Sequence, residues 1–371
     1  MKNSMLIPKN ITLACCQHFN SGIGRYSYML GESLREMNTN VKLYKVFKPD
    51  HSDITYHEQN WIKKIPYRSF KGLHPYILPY FIHQKIKNTP KDQIVHGHWF
   101  ISGLASSYLP NPTVVTMHDV SLLHVSEADA WFTGYYKWAI NRFKKNKIPI
   151  IVVSNNAKLD TIKYADYPEE LIYVSKGFID FNQFYYDKNV TKDENRFTII
   201  YTGGLGERKN VGLLLQAMKV IEKKYPHTYL KIAGAHPEYT KYPEMARDLG
   251  IENVEFSGFI PDDDLNNFYN ASDLFVFTSL YEGFGYTPLE AMATKTPVIS
   301  TNGGSLTEIV GEGGQLIDYD VMDLIDKISY YIENDSARKE LAHKGHEWVK
   351  QYTKENSLKE TLSAYNYHDR L

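Results

Sequence analysis

The feature that most limits what this chain can become is an alternation, run through twice, of short β-rich stretches and longer amphipathic ones. Such an alternation is the mark of an open parallel sheet whose strands are joined by crossover helices. The first run offers strands at 11–16, 41–47, 94–98, 113–117, 150–154 and 171–175. A polar stretch at 181–195 has no apolar period and reads as a linker. The pattern then restarts with strands at 197–202, 229–233, 254–257, 274–278, 297–301 and 315–317. A length of 371 residues also exceeds one comfortable core. The expectation is therefore an α/β protein with a first domain at 1–180, a second at 196–342, and a helical segment at 343–371. That last segment has no strand after it and is read as returning to the first domain.

Ligands bind open α/β sheets at the carboxyl ends of the strands. Two such sheets facing each other would make a deep cleft between loop edges, and the chemistry is expected there. What approaches must be met locally, because the formal net charge is only -1 and no broad field would gather nucleic acid. A composition of 43% apolar and 23% charged residues excludes disordered and fibrous classes. Cys15 and Cys16 are neighbours in a strand candidate and point to opposite faces, which disfavours a structural disulfide. No leader-like stretch and no uninterrupted apolar run of about 18 residues is present, so a cytoplasmic protein is expected.

The most specific chemical signal is Glu282-Gly-Phe-Gly-Tyr-Thr-Pro-Leu-Glu290, between a strand candidate and a helix. Gly283 and Gly285 let backbone come close to a ligand, and Pro288 suits a first helical position after a Thr287 cap. Glu290 then falls in the first helical turn, where a carboxylate stays ionised and accepts hydrogen bonds, as paired ribose hydroxyls require. Glu282, on the loop, would face a second polyol. The competing reading is a capping box formed by Thr287 and Glu290, which leaves Glu282, Gly283 and Gly285 unexplained.

A second signal is Thr202-Gly-Gly-Leu-Gly-Glu-Arg-Lys-Asn210, ahead of an apolar helix starting at Val211. Gly203 and Gly204 give a flexible backbone, and Arg208 and Lys209 are charge-assisted donors suited to a diphosphate. The alternative is a glycine turn with solvated cations. A third glycine loop, Gly22 and Gly24 after the first strand, lacks the third glycine of a dinucleotide fingerprint, since Ser27 stands there. It reads as the first domain's wall toward the donor phosphates, with a plain tight turn as the rival. His118 and Asp119 end a strand candidate on the same edge, as structural or as catalytic groups. His96 and His98 read as core or cleft lining, and Asp262-Asp263-Asp264 as the acidic start of a helix rather than a metal site. Residues 131–147 mix Trp131, Tyr135 and Trp138 with Lys137, Arg142, Lys144, Lys145 and Lys147. Such a helix can rest on anionic lipid as a peripheral contact, or can be a partly buried helix with a solvated basic face.

These residues resemble family 4 of the retaining glycosyltransferases, which have the GT-B fold of two Rossmann-like domains. The resemblance is strongest from Tyr201 to Glu308, through Gly203 to Asn210, Phe256 to Ile260, Ala271 to Phe275, Glu282 to Glu290 and Asn302 to Glu308. It implies that Glu290 holds the donor ribose and that Glu282, with the amides of Gly283, Phe284 and Gly285, holds the transferred sugar. It further implies that Arg208 and Lys209 hold the diphosphate, that Gly258, Phe259 and Ile260 line the base pocket, and that His118 touches the donor sugar. Two departures stand out: Gly204 replaces an arginine common in relatives, and Lys295 replaces a usual glycine, at a cost of roughly 1 to 2 kcal/mol if the backbone is left-handed.

The expected function is retaining, metal-independent transfer of a hexose from a nucleotide-diphosphate sugar to an acceptor hydroxyl of a glycan or lipid-linked acceptor, in cell-surface glycan or glycolipid synthesis. No cofactor is expected, and His118, Arg208, Lys209 and Glu282 are the catalytic candidates. Two rivals are a nucleotide-sugar epimerase on the same fold and a non-catalytic nucleotide-sugar-binding subunit.

Overall fold

A computed structural model describes residues 7–17, 21–45, 74–125 and 129–367. It divides the chain into two compact units, 1–177 with 354–371, and 178–353. The first unit is built on β1 (Asn10–Cys15), β2 (Asn40–Lys45), β3 (Ile94–His98), β4 (Thr113–His118), β5 (Ile150–Val152) and β6 (Ile172–Val174). All pair in parallel, in the order β2-β1-β3-β4-β5-β6. Its helices are α1 (Gly22–Glu36), α2 (His74–Ile86), α3 (Trp99–Ser106), α4 (Ala130–Lys145) and α5 (Asn155–Ala165).

The second unit repeats the scheme with β7 (Phe197–Thr202), β8 (Thr228–Ala233), β9 (Val254–Gly258), β10 (Leu274–Phe277), β11 (Val298–Thr301) and β12 (Gln315–Ile317). The order is β12-β11-β10-β7-β8-β9, again parallel. Between and after the strands run α6 (Val211–Lys224), α7 (Tyr242–Asp248), α8 (Asp262–Asn270), α9 (Tyr286–Ala293), α10 (Leu306–Val310), α11 (Val321–Glu333) and α12 (Asp335–Val349). A last helix, α13 (Lys354–Tyr365), belongs to the first unit.

Strands read from apolar runs therefore form in both units, and the central ones are buried along nearly their whole length, as parallel sheets covered on both faces require. Several end earlier than expected because a polar terminal residue has other work. Ser154 leaves β5 to cap α5, its Oγ accepting from the Ala157 amide at 3.0 Å. Thr278 leaves β10, and its Oγ1 donates to the carbonyls of Lys209 and Asn210. Ser175, beyond β6, binds Ser357 and Thr361 of α13. The expected strand at 41–47 is present as far as Lys45, and its last two residues lie outside the described ones.

Two segment boundaries need correction. The stretch 181–195 carries no strand or α-helix and is not a free link, because it is fastened to the second unit. Asn266 and Asn270 accept from the Tyr185 and Asp187 amides, and Lys192 donates to the Ser272 carbonyl. Phe184 within it is fully buried. The break expected at His343 falls inside α12, which stays with the second unit. The reason is close packing: the Trp348 ring lies on Gly311 and Gly313, where any Cβ would come within 2.2 to 2.6 Å of it, and Trp348 Nε1 donates to the Ile309 carbonyl.

What returns to the first sheet is α13. Its Tyr365 is buried and pairs at 2.8 Å with His96 Nδ1, whose Nε2 meets Thr116 Oγ1 at 2.7 Å. Burial draws the His96 imidazole down to about 3, with His118 nearby adding to the effect, so it stays neutral. His96 is thus a core group. Tyr365→Phe leaves the buried His96 nitrogen without that partner and is expected to cost about 1 to 3 kcal/mol in urea unfolding. Because His96 is neutral when folded and ordinarily protonates near 6.5, stability is expected to fall as pH drops from about 6.5 toward 3, read from unfolding midpoints across that range.

Candidate active site

The second sheet reverses its direction of winding between β7 and β10, which are neighbours although three strands apart in the chain. The carboxyl ends of the strands at such a switch point are where open α/β sheets bind ligands. The loops leaving those ends are the two motifs singled out above: 203–210 follows β7, and 278–285 follows β10.

They are laced together. After Gly203, whose φ is 141°, the chain makes a single tight turn over Glu207–Lys209, and Asn210 takes a left-handed φ of 49° into α6. The Leu280 amide donates to the Arg208 carbonyl at 2.8 Å, and Ser279 Oγ reaches the same carbonyl at 3.2 Å. The turn aims both cations at one carboxylate. Lys209 Nζ lies 2.5 Å from Glu282 Oε1, and Arg208 Nη1 lies 3.1 Å from Glu282 Oε2 while also donating to the Tyr281 carbonyl. Burial would raise the Glu282 carboxyl, but Lys209 and then Arg208 outweigh that and hold it below the usual carboxylate range. Glu282 is 8% exposed, whereas the Arg208 side chain is 41% exposed and open to a ligand.

Glu290 is held differently. It is buried, and its Oε2 accepts from Tyr269 Oη at 2.8 Å, which in turn meets Thr202 Oγ1 at 2.6 Å. The expected Thr287 cap is not formed. α9 starts at Tyr286, after Gly285 with φ 112°, and no side chain caps it, so Pro288 sits within the first turn rather than at its first position. A left-handed glycine turns the chain into the helix two residues sooner than a cap at Thr287 would.

Three features of this edge have roles that the sequence did not show, although Asn302 to Glu308 carries part of the family resemblance. Gly234, after β8, passes so close to the Gly203 carbonyl that a Cβ would lie 2.5 Å from it. Gly303 and Gly304, after β11, support the Glu282 loop: a Cβ on Gly304 would lie 2.6 Å from the Glu282 carbonyl. Ser305 binds that loop through its amide to Glu282 O and its hydroxyl to Gly283 O. The signal was a single glycine directly after β8 and a glycine pair one residue beyond the end of β11. Gly258, Phe259 and Ile260 leave β9 on the same edge, Gly258 with φ 70° and its carbonyl accepting from Gly234, and Phe259 is half exposed. Gly204 has open space where a Cβ would stand.

In the first unit, the order reverses between β1 and β3. Gly22 and Gly24 open α1 there, and Ser21 Oγ caps the helix by accepting from the Gly24 amide at 3.0 Å. His118 ends β4 at a register shift, with a left-handed φ of 62°. Its ring is edge-on to Tyr26, its Nε2 has no hydrogen-bond partner among the described residues, and burial lowers its pKa to about 3. Asp119 beside it is engaged in a local turn with Ser121. Asp262, Asp263 and Asp264 form the first turn of α8, and the described residues hold no cluster of three His, Cys, Asp or Glu suited to a metal.

Comparison with known proteins agrees in both units. Residues 20–183 match the family model described as Glycosyltransferase Family 4, and residues 183–348 match Glycosyl transferases group 1. The O-antigen chain mannosyltransferase B of Escherichia coli is 27% identical over 292 residues, 74% of each chain. Sucrose-phosphate synthase from Thermosynechococcus elongatus superposes with a TM-score of 0.81 at 18% identity, covering 98% of this chain and 100% of that one. Anabaena HepE in complex with UDP-glucose does so with a TM-score of 0.73 at 17% identity, covering 98% and 100%. With two parallel doubly wound units, each matched by its own glycosyltransferase model, the chain is a glycosyltransferase of the GT-B fold.

Proposed function

We propose that the protein is a retaining family 4 enzyme that transfers a hexose from a nucleotide-diphosphate sugar to a glycan or lipid-linked acceptor in cell-surface polysaccharide synthesis, without a metal ion. The observation that carries this reading is the convergence of Lys209 and Arg208 on Glu282 at the switch point of the second sheet. The E. coli relative, a mannosyltransferase of an O-antigen chain by name, supports the choice of product class.

Transfer from such a donor builds negative charge on the departing diphosphate while positive charge grows at the anomeric carbon. Arg208 and Lys209 are assigned to the diphosphate. A lysine ammonium has three donors, and Glu282 engages one of them in fixing its direction, so the cation is already aimed before the reaction begins. Glu282 and the amides of Gly283, Phe284 and Gly285 are assigned to the transferred sugar, Glu290 to the ribose, and Gly203 and Gly204 to close backbone approach. Gly258, Phe259 and Ile260 are assigned to the base. In the first unit, the α1 terminus at Gly22 and Gly24 is assigned to the phosphates. The unpartnered Nε2 of His118 supports its assignment to the donor sugar. The departing oxygen can itself take the acceptor proton, so no separate base is required.

Peripheral membrane contact is part of the same reading. No helix among the described residues is long and apolar enough to cross a membrane. On α4 and α2, Trp131 and Trp138 are nearly half exposed and join Tyr135 and exposed Tyr76 in one aromatic row, beside exposed Lys137 and Lys145. Aromatic rings flanked by lysines suit an anionic lipid surface.

Lys209→Ala is expected to lower turnover about a hundredfold or more in a sugar-transfer assay, the scale of losing one preorganised donor to an oxyanion. Near-normal turnover overturns the assignment. Product formed without any acceptor would mark an epimerase, and nucleotide binding without nucleotide release would mark a binding subunit. In liposome flotation, the wild type is expected to rise with anionic but not neutral vesicles, and Trp131→Ala/Trp138→Ala to stay below. Equal flotation of both proteins removes the membrane surface from this face.

A further inference from the structure

The second unit carries a cavity on the edge of its sheet opposite the Glu282 cluster. Asp273 and Pro297 stand just before β10 and β11, at their amino ends, and the cavity opens between them, the 186–192 stretch and α12. Its volume is about 380 Å³, within the range of small-molecule sites. The lining is unequal in charge: Lys192, Lys295, Arg338 and Lys339 face only Asp273 and Asp335. Lys192 Nζ lies 3.5 Å from Asp273, while Arg338 and Lys339 share Asp335 at 2.6 and 2.7 Å.

Lys295 is the informative member. It has no carboxylate within 4 Å among the described residues, and its Nζ instead lies 4.6 Å from the centre of the Tyr186 ring. Its backbone is left-handed, with φ 59°, a conformation that glycine or asparagine adopts at lower cost. Lys295 closes the turn that ends α9, its amide donating to the Met292 carbonyl and the Thr296 amide to the Ala291 carbonyl, a place where glycine is the cheaper residue, and its long cation therefore comes at a backbone cost.

We propose that this cavity is a second binding site, for the phosphate group of a small anion, held by Lys295 and Lys339 with Lys192 and Arg338 behind them. Two positive charges in excess match a dianionic phosphate, and the amino ends of β10 and β11 keep it apart from the donor site. The inference does not depend on the transferase reading.

The test is isothermal titration calorimetry of the whole chain at fixed ionic strength, with inorganic phosphate and with ribose 5-phosphate as probes. Saturable one-site binding is expected. It should survive in Lys209→Ala and weaken at least tenfold in Lys295→Asn/Lys339→Gln. Both substitutions spare the fold, since asparagine accepts the left-handed backbone and the Lys339 side chain is 77% exposed. Tighter binding of ribose 5-phosphate identifies a phosphorylated sugar as the occupant, and equal binding identifies phosphate itself. No saturable heat with either probe, undiminished binding in the double variant, or loss of binding in Lys209→Ala overturns the site.

Discussion

A carboxylate withdrawn from water keeps its charge only if cations come with it, and the Glu282 loop is organised by that requirement. Lys209 and Arg208 approach from the neighbouring loop, so the strand-to-helix connections after β7 and β10 cannot move independently. The backbone contacts that lace them, Leu280 to Arg208 and Thr278 to Lys209 and Asn210, follow from placing those ions. Removing one partner of a buried pair usually costs about 3 to 5 kcal/mol, and here Glu282 would still keep the other cation. The arrangement tolerates local damage better in stability than in the aim of its charges.

The sheets were legible because burial on both faces writes strands as continuous apolar runs, as in Leu274–Phe277. The motifs were legible because glycines and charges at strand ends are poor choices for plain connections. What could not be read was partnership. Nothing local says that Glu282 pairs with residues 73 and 74 positions earlier, or that Glu290 is tied to Tyr269. Thr287 matched a cap by type and spacing, yet Gly285 started the helix, because a backbone at φ 112° decides the entry geometry before a side chain acts. The roles of Gly234, Gly303 and Gly304 were not legible, since their need is steric and comes from chain segments far away in sequence.

Histidine shows the same limit. His96 and His98 share a strand and His118 ends the next one, so their sequence surroundings look alike. The fold separates them: His96 is satisfied on both nitrogens inside the core, while His118 sits on a strained turn at the carboxyl edge with an unmet nitrogen. Position relative to the strand end, rather than residue type, carried the distinction.

The pairing of Tyr365 with His96, and of Ser357 and Thr361 with Ser175, closes the first unit with a helix that follows all of the second. During synthesis the six strands of the first sheet emerge long before that cover does, while residues 178–353 are still being made. A ribosome-bound chain therefore holds an unfinished face with polar groups awaiting their partners, and the nascent first unit must wait for the tail to dock. The order of events in the cell is written into this connectivity: the later unit can complete itself first.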